Sequence, residues 1–514
     1  METAPESADL RPVPSIDART GETIEVVATE STVDEVAAAT TRAAEAASWL
    51  EELGREGRAR LLNELAGALE DDATQIIATA DRETALGEAR LTAELARTAY
   101  QLRFMGEVAL EGSYLDASIE GPAATPMGPR PDLRRSSVPL GPVGVFGASN
   151  FPLAFSAPGG DTASALAAGC PVVVKAHSAH AGTSVLVHRA FADVLNRWQA
   201  PAGVFQLVFG RAAGTALVAD PRIQAVGFTG SVSGGRALFT AAALRPDPIP
   251  FFGELGSVNP LVVTSAAARV KAEEVGAGIA ASMTMGNGQF CTKPGLFLIG
   301  DGPEGDTVVS ALVAALEASA PGHLLTDGIR ESFTAGTDAL TALADVSVLY
   351  RGRADERRVA PVLVSVDAQA LTGDHYGAIV DEYFGPFGVV IRFGSLRELQ
   401  DVLVAFPPAL TGTVHTSGHD DPDVPEITRL LARRSGRVIV DQYPTGVSVA
   451  WGMHHGGPYP ATTSAATSVG ANSIKRWVRP ITYQNAPDSV LPHELRDDPP
   501  AGLPRRVDGV LQLS

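Results

Sequence analysis

The segment "GNGQFCTKPG" sets a cysteine, Cys291, among glycines and small polar residues, a setting that exposes backbone and lets a ligand approach closely. A thiolate is the useful nucleophile, but a free thiol with a pKa of about 8.5 needs positive potential, a base or a cofactor to activate it. Read alone, such a cysteine is first a small buried hydrophobe, and Cys170 in "LAAGCPVVV" keeps that reading. Glu254 in "PIPFFGELGSVNP" lies among Phe251, Phe252, Leu255 and glycines; those neighbours desolvate a carboxylate and raise its pKa toward the working range of a general base. A solvated loop charge, or a glutamate paired with an arginine, is the other reading. Asn150 in "GVFGASNFPLAF" offers an amide NH2 to a developing oxyanion, or is an ordinary turn asparagine. Lys175 closes "PVVVK" with reach for a ribose hydroxyl or phosphate, or is a strand-end cation.

The turn "FTGSVSGGRAL" runs from strand into helix with Thr229, Gly230 and Ser231 at the junction, so free N–H groups and the helix dipole face whatever anion sits there. It lacks the G-x-G-x-x-G spacing and is, on physics alone, a generic anion site. The ten histidines show no H-E-x-x-H or Cys/His ligand spacing, so no metal site is read, and the adjacent His454 and His455 are taken as structural.

These residues need a frame. Short β-branched runs, "VGVFG", "PVVVKA", "VFQLVFG" and "AVGFTG", alternate with alanine-rich helical stretches from Val138 onward, which predicts parallel βαβ units with the ligand site beyond the carboxyl ends of the strands. Upstream, residues 1 to about 30 read as an extended polar leader, and 33–50, 55–80 and 86–110 as amphipathic helices before a Gly/Pro-rich break at 121–132. A second α/β region begins near Gly256 with a helix over 265–285, has strands near 295–299 and 388–393, and closes on "GRVIVDQ". The tail from about 445 is expected to press "IKRWVRPITYQN" against a neighbouring domain or subunit.

With 514 residues the chain exceeds one ordinary core. A net charge of −19 argues against general binding of nucleic acid or anionic membrane. Two cysteines are too few for a disulfide framework and point to a reducing compartment, the cytoplasm. No basic-then-apolar leader and no run of about 18 apolar residues is found, so neither export nor a membrane span is expected.

The order Asn, Lys, Gly-Ser, Glu, Cys, followed by "DEYFGPFG", resembles the aldehyde dehydrogenase superfamily over nearly the whole chain. Four stretches, "PLGPVGVFGASNFPLAFS", "VVVKAHSAHAGTS", "GNGQFCTKPG" and "HGGPYPATTSAATSVG", are similar to its branch of α-ketoglutarate semialdehyde (2,5-dioxovalerate) dehydrogenases and NADP-dependent fatty aldehyde dehydrogenases. The resemblance implies an α/β fold with two doubly wound domains, cofactor-binding and catalytic, and a small β oligomerisation segment. The expected division is 1–120 with 140–255 for the dinucleotide, 256–445 for catalysis, and 121–139 with 446–514 for oligomerisation and tail.

It also implies an oxidoreductase that turns an aldehyde into a carboxylic acid through a thiohemiacetal and a thioester. Cys291 would be the nucleophile, Glu254 the base for the hydrolytic water, and Asn150 an oxyanion donor. Lys175 and Glu382 match positions that hold the two riboses, Phe384 the packing near the nicotinamide, and Thr229, Gly230 and Ser231 the phosphate turn. Relatives that prefer NAD often carry Glu three residues past the lysine; here Ser178 stands there, and Arg211 matches a phosphate-binding arginine, so NADP is expected to be preferred, with NAD the second cofactor. The substrate expected first is α-ketoglutarate semialdehyde, recognised by Arg97 and Gln101 at i,i+4 or by Arg134 and Arg135 in the crossing segment; a long aliphatic aldehyde is the alternative. A catalytically silent member of the fold would be expected to lose Cys291 or Glu254. A homodimer or homotetramer is implied.

Overall fold

The computed structural model describes residues 11–498 and 502–513, so the first third of the expected leader lies outside the described residues. Five parallel strands run in the order Phe251–Glu254, Ala225–Thr229, Val143–Phe146, Val172–Lys175, Phe205–Val208. The run "VVVK" shows why this sheet is covered on both faces. Val172 and Val174 pack into one apolar cluster with Leu166 and Trp477, while Val173 points into another with Leu217 and Val226. Alternation of side chains along a strand produces this split, and near-continuous apolar strands are its sequence signature.

A second sheet of seven strands follows the order Ser347–Arg351, Val362–Asp367, Phe387–Phe393, Leu296–Gly300, Pro260–Val263, Ala409–His415, Ser435–Val440. Only the edge strand Ser347–Arg351 pairs antiparallel. Here too the faces separate, with Leu296, Leu298 and Ile391 on one side and Phe297, Ile299 and Val390 on the other. Both units are thus doubly wound.

Of the leader, Pro12–Ile16 and Thr23–Thr29 form an antiparallel pair. The first helix, Val33–Glu52, is launched by a capping box: the Glu35 N–H donates to Thr32 Oγ1 at 3.1 Å and the Thr32 N–H donates to Glu35 Oε2 at 2.8 Å. The stretch read as one helix over 55–80 is two, Gly54–Asp71 and Ala73–Thr84, because Asp72 leaves helical geometry at φ −94°, ψ 10°. Periodicity alone could not show that break, since the apolar face resumes with Ile76 and Ala80. Helix Glu88–Glu111 follows.

The crossing segment forms a small hairpin, Ala123–Thr125 with Gly128–Arg130. Strand Leu133–Pro139 belongs to a third sheet, ordered Val478–Gln484, Leu133–Pro139, Ala117–Glu120, Pro504–Val507, Val510–Leu513. The tail therefore packs on its own chain as well. Trp477 is fully buried against the first sheet, its indole N–H donating to Ser164 Oγ at 2.8 Å, and Arg476 pairs with Asp161 at 2.7 Å. Among the described residues no helix is long and apolar enough to cross a membrane.

Candidate active site

All five strands of the first sheet point their carboxyl ends the same way, so the residues following them stand along one edge in sheet order. Glu254 closes the first strand; Thr229, Gly230 and Ser231 follow the second; Asn150 comes after the third; Lys175 and Ser178 end and follow the fourth; Arg211 follows the fifth. At about 4.8 Å per strand, Glu254 and Lys175 are separated by roughly 14 Å across the sheet. That is a length suited to an elongated ligand rather than a compact one.

Cys291 reaches this edge from the second unit. After helix Ser265–Thr284 the chain takes three successive left-handed residues, Gly286, Asn287 and Gly288, at φ +56°, +54° and +70°. Any Cβ at Gly288 would run into the Gly385 carbonyl, so this glycine permits the cysteine loop to lie on the "EYFGP" loop. Asn259 fastens the loop from beneath: its Nδ2 donates to the carbonyls of Cys291 at 2.8 Å and Lys293 at 2.9 Å, while its Oδ1 accepts from Ser257 Oγ and the Thr411 N–H. Asn150 Nδ2 donates to the Gln289 carbonyl at 2.8 Å, tying the two units together two residues before the cysteine. Arg90 donates to the Asn150 carbonyl at 2.7 Å and lies over the rings of Phe151 and Phe290.

One cavity of about 420 Å³ collects these groups. Its lining includes Asn150, Ser178, Thr229, Gly230, Ser231 and Glu254 from the first edge, Cys291, Glu382 and Phe384 from the second unit, and His455 from the tail. Lys175 and Arg211 are not in that lining. Lys175 is held at the strand end with Glu30 nearby, burial lowering its pKa, and Arg211 is exposed at the start of helix Arg211–Ala219. Arg134 and Arg135 are engaged elsewhere, Arg134 with Asp132 and Asp497 and Arg135 with Asp116; these ion pairs leave them no part in the cavity. Gln101 is buried behind the Asn150 loop, its Nε2 donating to the Ala154 carbonyl at 3.3 Å.

Burial dominates the electrostatics. It pushes the Glu254 carboxyl up to about 8, with Asp161 adding and Arg476 opposing, and Glu254 Oε2 has no hydrogen-bond partner. The Cys291 thiol is pushed up to about 12 by burial, then by the carboxylates of Glu254 and Glu382, against the pull of Arg437. The resting thiol is therefore protonated and needs a base to become a nucleophile. Cys170 is also raised, to about 11, but its Sγ faces the Trp477 carbonyl at 3.3 Å inside the core. Burial raises Glu382 and lowers Lys293, while their mutual attraction opposes both shifts.

The cavity fits a nicotinamide dinucleotide on its own terms. Ser231 caps helix Val232–Ala243 by accepting from the Gly234 N–H at 3.3 Å, leaving the Val232 and Ser233 N–H groups of the first turn for an anion. Gly256 is a cradle: a Cβ there would occupy the space of the Glu382 carboxylate. Glu382, the turn at Ser231 and Cys291 thus line one cavity, with groups able to take a hydroxyl and an anion beside the thiol.

His455 was read as structural, yet its Nε2 lies 3.7 Å from Cys291 Sγ. Burial, with Arg437 and Arg97 adding, lowers it to about 3, so the imidazole is neutral beside the thiol. Asn259 escaped the sequence reading as well. Neither carries a local signal, since both act across more than thirty residues of chain or from the irregular tail.

The sequence model of the aldehyde dehydrogenase family matches residues 5–337. The chain is 45% identical over 466 residues to α-ketoglutaric semialdehyde dehydrogenase 2 of Azospirillum brasilense, covering 88% of each. It is 41% identical over 487 residues to α-ketoglutaric semialdehyde dehydrogenase of Acinetobacter baylyi, covering 94% of this chain and 92% of that one. Among solved structures, a 1-pyrroline-5-carboxylate dehydrogenase from Thermus with bound NAD superposes with a TM-score of 0.78 at 21% identity, over 92% of this chain and 90% of that one. Aldehyde dehydrogenase 21 of Physcomitrella patens, in complex with succinate, gives 0.78 at 18% identity, over 94% and 97%. A glycine-rich cysteine loop and a buried glutamate facing one cavity, on two doubly wound sheets, agree with these matches: the chain belongs to the aldehyde dehydrogenase family.

Proposed function

We propose that the chain oxidises α-ketoglutarate semialdehyde to 2-oxoglutarate, with NADP preferred over NAD. The observation that carries this is identity of 45% and 41%, over most of both chains, to two α-ketoglutaric semialdehyde dehydrogenases. The convergence of Cys291, Glu254 and Asn150 on one cavity supports the chemistry.

In this reading the Cys291 thiol gives up its proton to solvent water as Sγ attacks the aldehyde carbon. The resulting oxyanion accepts from Asn150 Nδ2 and the Cys291 N–H. The Ser231 turn and Glu382 would hold a dinucleotide, which would supply the hydride acceptor by which this adduct becomes a thioester. Glu254 then takes a proton from water as the water adds to the thioester carbon; the carboxylic acid leaves and Sγ regains its proton.

Ser178 leaves room for a 2'-phosphate and has a hydroxyl to donate to it, and Arg211 stands one strand further along the same edge. We further propose that residues 1–120 with 140–255 form the dinucleotide unit and 256–445 the catalytic unit, that the protein acts in the cytoplasm, and that it assembles as a homo-oligomer through the sheet whose edge is Val478–Gln484. The test follows absorbance at 340 nm with NADP or NAD against α-ketoglutarate semialdehyde, succinic semialdehyde and straight-chain aldehydes, beside Cys291→Ala. Preference for long aliphatic aldehydes would discard the substrate and keep the chemistry. No reduction of either cofactor by folded protein that binds NADP would point to a silent member of the family.

A further inference from the structure

Two guanidinium groups are held by one loop, outside the lining residues named above but near enough to feel the charge of Cys291. Arg437, on strand Ser435–Val440, donates from Nη2 to the carbonyls of Pro444 at 2.7 Å and Gly446 at 2.9 Å. Arg97, on helix Glu88–Glu111, donates from Nη2 to the carbonyl of the next residue, Val447, at 3.0 Å. Adjacent carbonyls of one loop thus hold two cations that come from opposite ends of the sequence. Arg97 also lies over the ring of Phe155, 4.9 Å from its centroid, and Phe155 lines the cavity with Cys291 and His455.

Each head keeps a buried nitrogen with no hydrogen-bond partner, Nη1 of Arg97 and Nε of Arg437. Neither arginine forms an ion pair among the described residues. Glu94, one turn before Arg97, commits Oε1 to the N–H groups of Leu153 and Ala154, while its Oε2 has no hydrogen-bond partner and its charge attracts Arg97 without a direct ion pair. Both side chains are partly buried, and unpaired buried donors such as these two nitrogens are costly; an incoming anion would satisfy them.

We infer that Arg437 and Arg97 form a clamp for the distal α-keto carboxylate of the substrate, holding the far end of a short acidic aldehyde while its carbonyl meets Cys291. This rests on the acidic-semialdehyde reading above and names the residues that would make it true. Arg437 had no sequence signal: it lies in the apolar closing strand "GRVIVDQ", more than three hundred residues from Arg97.

The ratio of kcat/KM for α-ketoglutarate semialdehyde to that for pentanal is the readout, because it cancels any loss common to both substrates. Arg437→Met and Arg97→Met are each expected to lower this ratio by about 10- to 100-fold, the effect of one charge-assisted contact, with Arg437→Lys falling between. In parallel, 2-oxoglutarate is expected to protect Cys291 of the wild type from iodoacetamide, and that protection should vanish in Arg437→Met. If the wild type prefers the acidic aldehyde but both Met variants keep its ratio, or lose the two substrates equally, the clamp is wrong and the substrate reading stands. A wild type that prefers pentanal overturns both.

Discussion

Replacing Glu254 by glutamine exchanges a buried carboxyl for an amide of nearly the same shape, and the consequence can be worked from its environment. The folded-state pKa of about 8 stands above an ordinary value of 4.5. A carboxyl raised in this way contributes stability that is fully present below its unfolded pKa and is lost as the pH climbs through the folded one. At about 1.4 kcal/mol per pH unit, roughly 3.5 kcal/mol of folding free energy disappears between pH 5 and pH 8. Glutamine does not titrate, so the variant escapes this loss. For a chain of 514 residues at about 2.1 cal/mol/K per residue, the unfolding entropy is near 1.1 kcal/mol/K, and the difference becomes roughly 3 °C in Tm.

Thermal melts of wild type and Glu254→Gln across pH 5 to pH 8 test this, with the variant gaining about 3 °C on the wild type over that interval. A Tm difference that stays constant with pH would mean an ordinary, ionised carboxylate and would refute the argument. The same ionisation enters catalysis: deacylation needs the charged form, so in the wild type its rate rises with pH through about 8.

Asn150→Ala removes the proposed oxyanion donor and a tie to the Gln289 carbonyl; kcat is expected to fall by about 100- to 1000-fold with KM changed far less, and steady-state kinetics would contradict the role if KM carried the loss. Ser178→Glu places a carboxylate at the cavity lining where a 2'-phosphate is expected, so the NADP to NAD ratio of kcat/KM should drop by about 10-fold or more, some 1.4 kcal/mol or above. An unchanged ratio would move cofactor choice to another residue.

Much of the frame was legible because buried parallel strands write themselves as short β-branched runs: "VGVF", "VVVK", "FQLV" and "AVGFT" all lie where periodicity put them. Several residues singled out for chemistry follow strands of the first sheet, where a doubly wound fold presents its ligands, whereas Cys291 stands in a loop of the second unit that precedes its strand. Other features stayed hidden. The break at Asp72 lies within an unbroken apolar pattern, and the pairing of Pro12–Ile16 with Thr23–Thr29 depends on a register that polar strands do not announce. His455 and Asn259 owe their importance to contacts across 164 and 32 residues of chain, with Cys291 and its carbonyl, and Arg437 to a loop that Arg97 holds across 350 residues through the Val447 carbonyl. No local spacing encodes such meetings.

The central claim is that Cys291 carries the acyl group and Glu254 delivers the water that removes it. Its most direct test mixes Glu254→Gln with NADP and α-ketoglutarate semialdehyde, quenches in acid after one turnover, and weighs the intact protein and its peptides. The account predicts one acyl adduct, mapped to the peptide bearing Cys291, that accumulates in the variant and is fleeting in the wild type. Reduction of the cofactor with no adduct on Cys291, or with the adduct on another residue, would contradict it.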